Sequence, residues 1–303
     1  GLPKGVMVTH RNVANVVVYT NQRFQVGSGD RMLALTALNH DLSVYDIFGL
    51  LAAGGSIIIP DARLVKDPNH WAELIQRERV TLWNSVPPMM EMLVNAVGDT
   101  QFTTSLRLAI LGGDWLPLTL PDRIRNLVPA IELLSIGGPT ETTIWNIGYQ
   151  IGAVDPTWNS IPYGQPMANA KYYILNPALN NCPTWVAGEM YCAGVQVAKG
   201  YWRDEERTQA NFIIHPRIGK RLYRTGDRGH YLPDGTIEIL GRVDFQIKLR
   251  GYRIEAGEVE AALMQHPAVQ TAIVKVIGDS QQARLVAYIV ADRFSCREAM
   301  LTT

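Results

Sequence analysis

The feature that most constrains this chain is an alternation across its first half. Five short apolar runs, RMLALTAL (31–38), GSIIIP (55–60), VTLWNSV (80–86), LRLAILGG (106–113) and IELLSIGG (131–138), are separated by helical patterns at 44–52, 68–78, 87–97 and 119–128. A strand that is apolar throughout must be covered on both faces, and intervening helices supply that cover, so the pattern predicts a parallel α/β sheet. Ligands of such sheets gather beyond the carboxyl ends of the strands. Polar loops follow three of these ends: Asn84-Ser85, Gly112-Gly113-Asp114, and the 137–143 loop.

The texture changes between about 160 and 240. Short strands such as AKYYIL, GEMYCAG and TIEIL are separated by Pro and Gly turns, which suggests a small β-barrel or sandwich. Residues 241–267 then pass from a polar strand into a helix that stops at Pro267, and AIVKVI and RLVAYIVA follow as strands. We place a boundary near Asp244, giving an α/β sheet over about 1–158, a barrel over about 159–243, and the start of a small α+β subdomain over 244–303.

Composition excludes several classes of function. The 303 residues carry 18% charged side chains and zero formal net charge, so there is no basic surplus for a nucleic acid. No run of about 18 apolar residues suggests a membrane span, and the start lacks a signal-peptide layout. Cys182, Cys192 and Cys296 match no zinc or disulfide spacing, so reduced and cytoplasmic is the expectation. GLPKGV reads like the inside of a loop, which implies a fragment.

The stretch SIGGPTETTIW (135–145) admits two readings. It could be a turn before a helix capped by Thr140 or Thr142. Alternatively, flexible backbone and hydroxyls suit phosphate oxygens, and Glu141 beside them suits a magnesium ion.

Four segments, LPKGVMVTHRN, NHDLSVYDIFGLLAAGG, GGPTETTIW and YRTGDRGHYLPDGTIEILGRVDFQIKLRGYRIEAGEVE, occur in that order. They resemble the motifs of adenylate-forming enzymes, specifically the amino-acid adenylation domains of nonribosomal peptide synthetases. The resemblance covers essentially the whole chain and favours the chemical reading of the 135–145 stretch. It implies the large N-terminal part of an adenylate-forming fold, without its first portion, followed by a partial C-terminal lid.

It also implies roles. Gly137, Gly138, Pro139, Thr140 and Thr142 would bind ATP, the Thr140 and Thr142 hydroxyls lying near the phosphates, with Glu141 as the magnesium ligand. Asp227 would hold the ribose hydroxyls; an Asp-turn before Gly229 is the lesser alternative. Arg242 would contact ribose or phosphate, and Lys4 would be the lysine of a phosphate loop whose first half precedes residue 1. Thr140, Glu141, Arg242 and Lys4 are thus the implied catalytic set. Asp244 would be the hinge, and Lys248 and Gly251 would belong to the loop that meets a thiol donor. Asp41 would pair with the substrate ammonium group; a helix N-cap is its alternative. The family commonly has an aromatic at the position of Gly137, and its catalytic-lysine segment is expected beyond Thr303.

Matching motif to motif gives a side-chain pocket of Asp41, Leu42, Tyr45, Asn84, Ile110, Gly112, Ile136, Ile144 and Trp145. This set resembles cysteine-activating domains that follow heterocyclisation domains. Asn84 in an apolar wall suits a small thiol. Gly112 stands where that subgroup has serine, which would leave room for about one methyl and makes serine or an α-methylated cysteine or serine the alternative substrate. The implied cofactors are ATP, Mg2+ and the phosphopantetheine of a peptidyl carrier domain. Condensation or heterocyclisation domains are the implied neighbours, with an oxidase or methyltransferase insertion as a further option. A truncated, non-catalytic binding module is the competing function class. The retained Asp41, Glu141, Asp227 and Arg242 favour an enzyme, and Asp41 disfavours an acyl- or aryl-CoA ligase.

Overall fold

The computed structural model describes residues 4–98, 102–242, 246–249, 252–278 and 284–291. The chain forms two compact units, divided between Val243 and Asp244.

In the larger unit the elements are α1 (His10–Arg23), β1 (Arg31–Leu33), α2 (Leu42–Val44), a π-helical turn (Tyr45–Gly49), α3 (Leu50–Ala52), β2 (Ser56–Ile58), α4 (Pro68–Arg77), β3 (Leu82–Ser85), α5 (Pro87–Val97), β4 (Leu108–Gly112), α6 (Leu120–Leu127) and β5 (Glu132–Gly137). After a 3₁₀ turn (Thr140–Thr142) come β6 (Ile147–Gln150), β7 (Gln165–Pro166), β8 (Ala170–Leu175), β9 (Gly188–Gly194), α7 (Glu205–Asn211), β10 (Phe212–Ile214), β11 (Arg221–Tyr231) and β12 (Ile237–Arg242).

The first sheet has seven strands in the order β2-β1-β3-β4-β5-β6-β7. The strands from β2 to β5 pair in parallel, as the sequence predicts. β6 and β7 add antiparallel pairings and carry the sheet to Pro166. Alternating side chains of one strand enter different cores: Ala109 and Leu111 of β4 join α4, α5 and α6, whereas Leu108 and Ile110 join α1 and the 42–50 segment. This period of two places helices on both faces of the sheet.

Local chemistry explains several helix starts. Thr9 and Asn12 form a reciprocal capping box at α1, satisfying two otherwise orphaned N–H groups. Asp67 accepts from the Asn69 backbone N–H at 2.9 Å at the start of α4, with Pro68 in its first turn. A proline there loses nothing, because its missing N–H would have no helical partner.

The expected strand 31–38 is shorter. It ends at Leu33, and a turn in which His40 N donates to Ala37 O carries the chain to Asp41. The expected helix 44–52 begins at Leu42 and contains the π turn. Where the sequence suggests a small barrel, the structure has a five-stranded antiparallel sheet, β10-β11-β9-β8 with β12 on β11. Among the described residues no pairing joins β8 to β12 to close it. Its inner face buries Tyr172, Ile174, Cys192, Tyr223 and Ile237 together with Ile147 of the first sheet. Cys182 and Cys192 are free and buried.

In the smaller unit, β13 (Gln246–Leu249) and β14 (Tyr252–Glu255) form an antiparallel pair where the sequence suggests one strand. Then come α8 (Ala256–Met264) and the antiparallel pair β15 (Val269–Ile277) and β16 (Arg284–Ala291). Among the described residues no helix is long and apolar enough to cross a membrane.

Candidate active site

The carboxyl ends of the parallel strands converge on the 42–50 segment and the 137–145 loop. Leu42, Tyr45, Ile110, Ile136, Ile144 and Trp145 belong to one buried cluster. The rings of Tyr45 and Trp145 meet edge to face at 5.0 Å. Asn84, at the end of β3, is fully buried and donates from Nδ2 to the Leu42 carbonyl at 3.4 Å. Leu42, Tyr45, Asn84, Ile110, Ile136, Ile144 and Trp145, from segments far apart in sequence, thus lie in one buried region.

Asp41 immediately precedes α2 but makes no side-chain capping bond. Instead its carboxylate accepts the Thr140 hydroxyl at 2.7 Å, with His40 Nδ1 3.4 Å away. Nor does a capped helix follow the Gly-Gly-Pro turn. Residues 140–142 make a single 3₁₀ turn, in which Thr142 Oγ1 donates to the Pro139 carbonyl at 3.0 Å. Thr143 and Ile144 then adopt φ of 64° and 59°. A β-branched residue at positive φ is rare and costs of order 1–3 kcal/mol, so the surrounding structure must impose it. Part of that frame is visible: Thr143 Oγ1 donates to Gln196 O at 2.8 Å, and Gln196 Nε2 donates to Trp145 O at 2.7 Å.

Glu141 is 1% exposed, and the Tyr201 hydroxyl donates to its Oε1 at 2.6 Å. Tyr201 is held beside the start of the chain by a bridge to Val6, and Met7 N donates to Gly200 O. Lys4 lies on that same segment and is exposed. Glu141 fits a particular kind of metal site. Among the described residues there is no cluster of three or more His, Cys, Asp or Glu. A lone carboxylate beside hydroxyls suits a magnesium ion held mainly by phosphate oxygens and water.

Asp227 and Arg242 face each other in register on β11 and β12. Arg242 Nη1 donates to Asp227 Oδ1 at 2.9 Å, and both side chains are largely buried. Lys248 lies in β13; Asp244 and Gly251 fall outside the described residues.

Two glycines behave differently from expectation. The space beside Gly112 is filled: a Cβ there would lie 2.7 Å from the Ile136 carbonyl oxygen and closer still to the Ile136 side chain. Room for an extra methyl of the substrate therefore does not follow from the absence of a serine side chain. At Gly137, where an aromatic is common, a Cβ would lie 2.6 Å from the Tyr163 hydroxyl and deeper within its ring. Tyr163 comes from the 151–164 connection, beyond the reach of any local pattern, and burial, with the nearby Asp227 charge adding to it, holds its hydroxyl proton more tightly than usual. Sequence reasoning also passed over Tyr201, Gln196 and Asp46. Asp46 is 1% exposed and accepts from Asn84 Nδ2 at 2.7 Å. Its signal was present, as a second carboxylate in the apolar run that contains Asp41.

With this geometry in hand, comparison with known proteins defines the class. The profile of the AMP-binding enzyme family matches residues 1–202, and the chain belongs to that family. It is similar to the anguibactin system regulator of Vibrio anguillarum, 44% identical over 96% of this chain and 28% of that protein. Pyochelin synthetase PchF of Pseudomonas aeruginosa is 43% identical over 95% of this chain and 16% of its own length. The chain thus spans less than a third of these curated relatives.

Among solved structures, the α-methyl-L-serine-AMP-bound form of the nonribosomal peptide synthetase FmoA3 is 48% identical, with a TM-score of 0.77 over 85% of this chain and 29% of that one. PA1221, a nonribosomal peptide synthetase protein containing adenylation and PCP domains, aligns with a TM-score of 0.85 at 26% identity over 98% of this chain and 60% of its own. The chain carries the adenylation-domain fold of these neighbours.

Proposed function

We propose that this chain is the core of an amino-acid adenylation domain that activates L-cysteine with ATP. The observation that carries the reading is the Thr140–Asp41 hydrogen bond of 2.7 Å. In an amino acid the ammonium and carboxylate groups share one carbon. A residue that holds the ammonium group must therefore lie beside the loop that holds the phosphates. Asp41 is the carboxylate for the ammonium group, and 137–142 is the loop for the phosphates.

A carboxylate oxygen attacks the α-phosphorus, the bond to the β-phosphate oxygen breaks, and pyrophosphate leaves with its electron pair. Thr140 and Thr142 offer hydroxyls to the phosphates, and Lys4 and Arg242 offer positive charge. Asp227 receives the ribose hydroxyls. Glu141 would hold magnesium, which would supply positive charge beside the phosphates. The aminoacyl group then passes to a phosphopantetheine thiol, the thiolate taking the acyl carbon and AMP leaving. Asp244, Lys248 and Gly251 belong to that second step. The carrier domain within PA1221 supports a peptidyl carrier domain as partner, and we propose condensation or heterocyclisation domains as neighbours.

Cysteine rests on the pocket from Asp41 to Trp145. A second reading, serine or an α-methylated analogue, is favoured by the α-methyl-L-serine-AMP in FmoA3. The test is amino-acid-dependent exchange of labelled pyrophosphate into ATP by the full-length protein that carries this chain. Cysteine should give the highest rate; serine or α-methyl-serine ahead of it selects the second reading, and glycine or leucine ahead of both refutes the pocket assignment.

A further inference from the structure

Asn84 has its amide committed in one direction. Its Nδ2 donates to Asp46 at 2.7 Å and, more weakly, to the Leu42 carbonyl at 3.4 Å. Burial pushes the Asp46 carboxyl up to about 6 despite the opposing hydrogen bond from Asn84. The Leu42 carbonyl can only accept, and so can a carboxylate. That fixes which end of the Asn84 amide faces Asp46 and turns Oδ1 the other way. This Oδ1 is buried and has no hydrogen-bond partner among the described residues. Trp145 Nε1 is buried without a partner in the same way.

Unpartnered buried polar atoms are uncommon in folded proteins because each forfeits its hydration. Asp46 Oδ2 is buried without a partner as well, and on the residues of the proposed pocket itself one acceptor and one donor are left over. A group that can both donate and accept a hydrogen bond can satisfy either atom. Hydroxyls and thiols have that capacity, whereas alkyl groups have neither.

We propose that Asp46 is a positioning residue that locks the Asn84 amide, so that the pocket selects amino acids whose short side chain ends in an O–H or S–H donor. The proposal rests on the adenylation reading above and narrows it. Asp46 acts through Asn84 and does not itself meet the substrate. Replacing its carboxylate by an amide would remove the lock, because an amide can donate to Asn84 Oδ1 and let Asn84 present Nδ2 instead.

The experiment measures kcat/KM for pyrophosphate exchange with L-cysteine, L-serine and L-alanine, using the full-length protein and its Asp46→Asn, Asn84→Leu and doubly substituted forms. In the native protein the better of cysteine and serine should exceed alanine by at least a hundredfold. Asp46→Asn should shrink that ratio at least tenfold while KM for ATP stays within twofold. Asn84→Leu should shrink it as much, and adding Asp46→Asn to Asn84→Leu should change it less than twofold, as expected for residues acting in series.

An unchanged ratio in Asp46→Asn, or an Asp46 effect that persists without Asn84, overturns the positioning role. Native activation of alanine as fast as cysteine and serine overturns the selectivity while leaving adenylation standing. Absence of exchange with every amino acid instead refutes the adenylation reading, and this inference with it.

Discussion

Thr140 donates its hydroxyl proton to the Asp41 carboxylate at 2.7 Å, a bond between positions 99 residues apart in the chain. It ties the segment proposed to hold the substrate ammonium group to the loop proposed to hold the phosphates. Asp41→Ala should therefore weaken amino-acid binding by about 3 kcal/mol, roughly a hundredfold, because an ammonium group loses its counter-charge. ATP binding should fall by only a few-fold. Calorimetric titration of each ligand separates the two, and equal losses would make Asp41 a structural residue.

Tyr163 occupies the space that a side chain at position 137 would need. Gly137→Ala should cost about 2 kcal/mol through overpacking. In a Tyr163→Ala background the same change should cost little, and a denaturant-unfolding cycle measures the difference. Additive effects would mean that Tyr163 is not the obstacle.

Asp46 makes stability depend on pH with a definite sign. Its folded pKa of about 6 lies above the ordinary 3.8, so the folded chain holds this proton more tightly than the unfolded chain. The resulting stabilisation is complete below about pH 4 and is lost as pH rises through 6, by up to about 3 kcal/mol. Asp46→Asn should lack that slope. Urea midpoints of both proteins between pH 4 and 7 provide the comparison; parallel profiles would remove the assignment.

The Tyr201 hydroxyl orients Glu141 through a 2.6 Å bond to Oε1. Tyr201→Phe should raise the magnesium concentration for half-maximal exchange by about tenfold, the usual effect of losing a group behind a metal ligand. The KM for the amino acid should hardly move. A change confined to the amino-acid KM would argue against metal binding by Glu141.

The sequence reveals the parallel sheet because buried strands and amphipathic helices differ in period and length, and α5 falls on the predicted 87–97. It conceals α1, whose apolar positions are interrupted by Asn12 and Asn15 and whose one clear signal is the Thr9–Asn12 capping box. The antiparallel additions β6 and β7 are short and carry no long apolar run. Within the site, motif residues such as Glu141 and Asp227 stand out by local context. Tyr163 and Tyr201 do not, because each matters only through a partner more than twenty residues away, Gly137 and Glu141 respectively. Ile136 beside Gly112 teaches the same point: the missing side chain is legible, but what fills its space is not.

The π turn over Tyr45–Gly49 has a consequence for transplanting specificity between relatives. It inserts extra chain into one helical turn, and its geometry packs the Tyr45 ring against Gly49, where a Cβ would lie 2.6 Å from the ring. One residue corresponds to about 100° of rotation in an α-helix. Removing a single residue from this turn would therefore swing Asp41, Leu42 and Tyr45 about a quarter-turn relative to Leu50, which is anchored in the core. Residues of the proposed pocket are interchangeable only between chains wound alike here, so the unit of exchange is the whole 41–50 segment rather than its individual side chains.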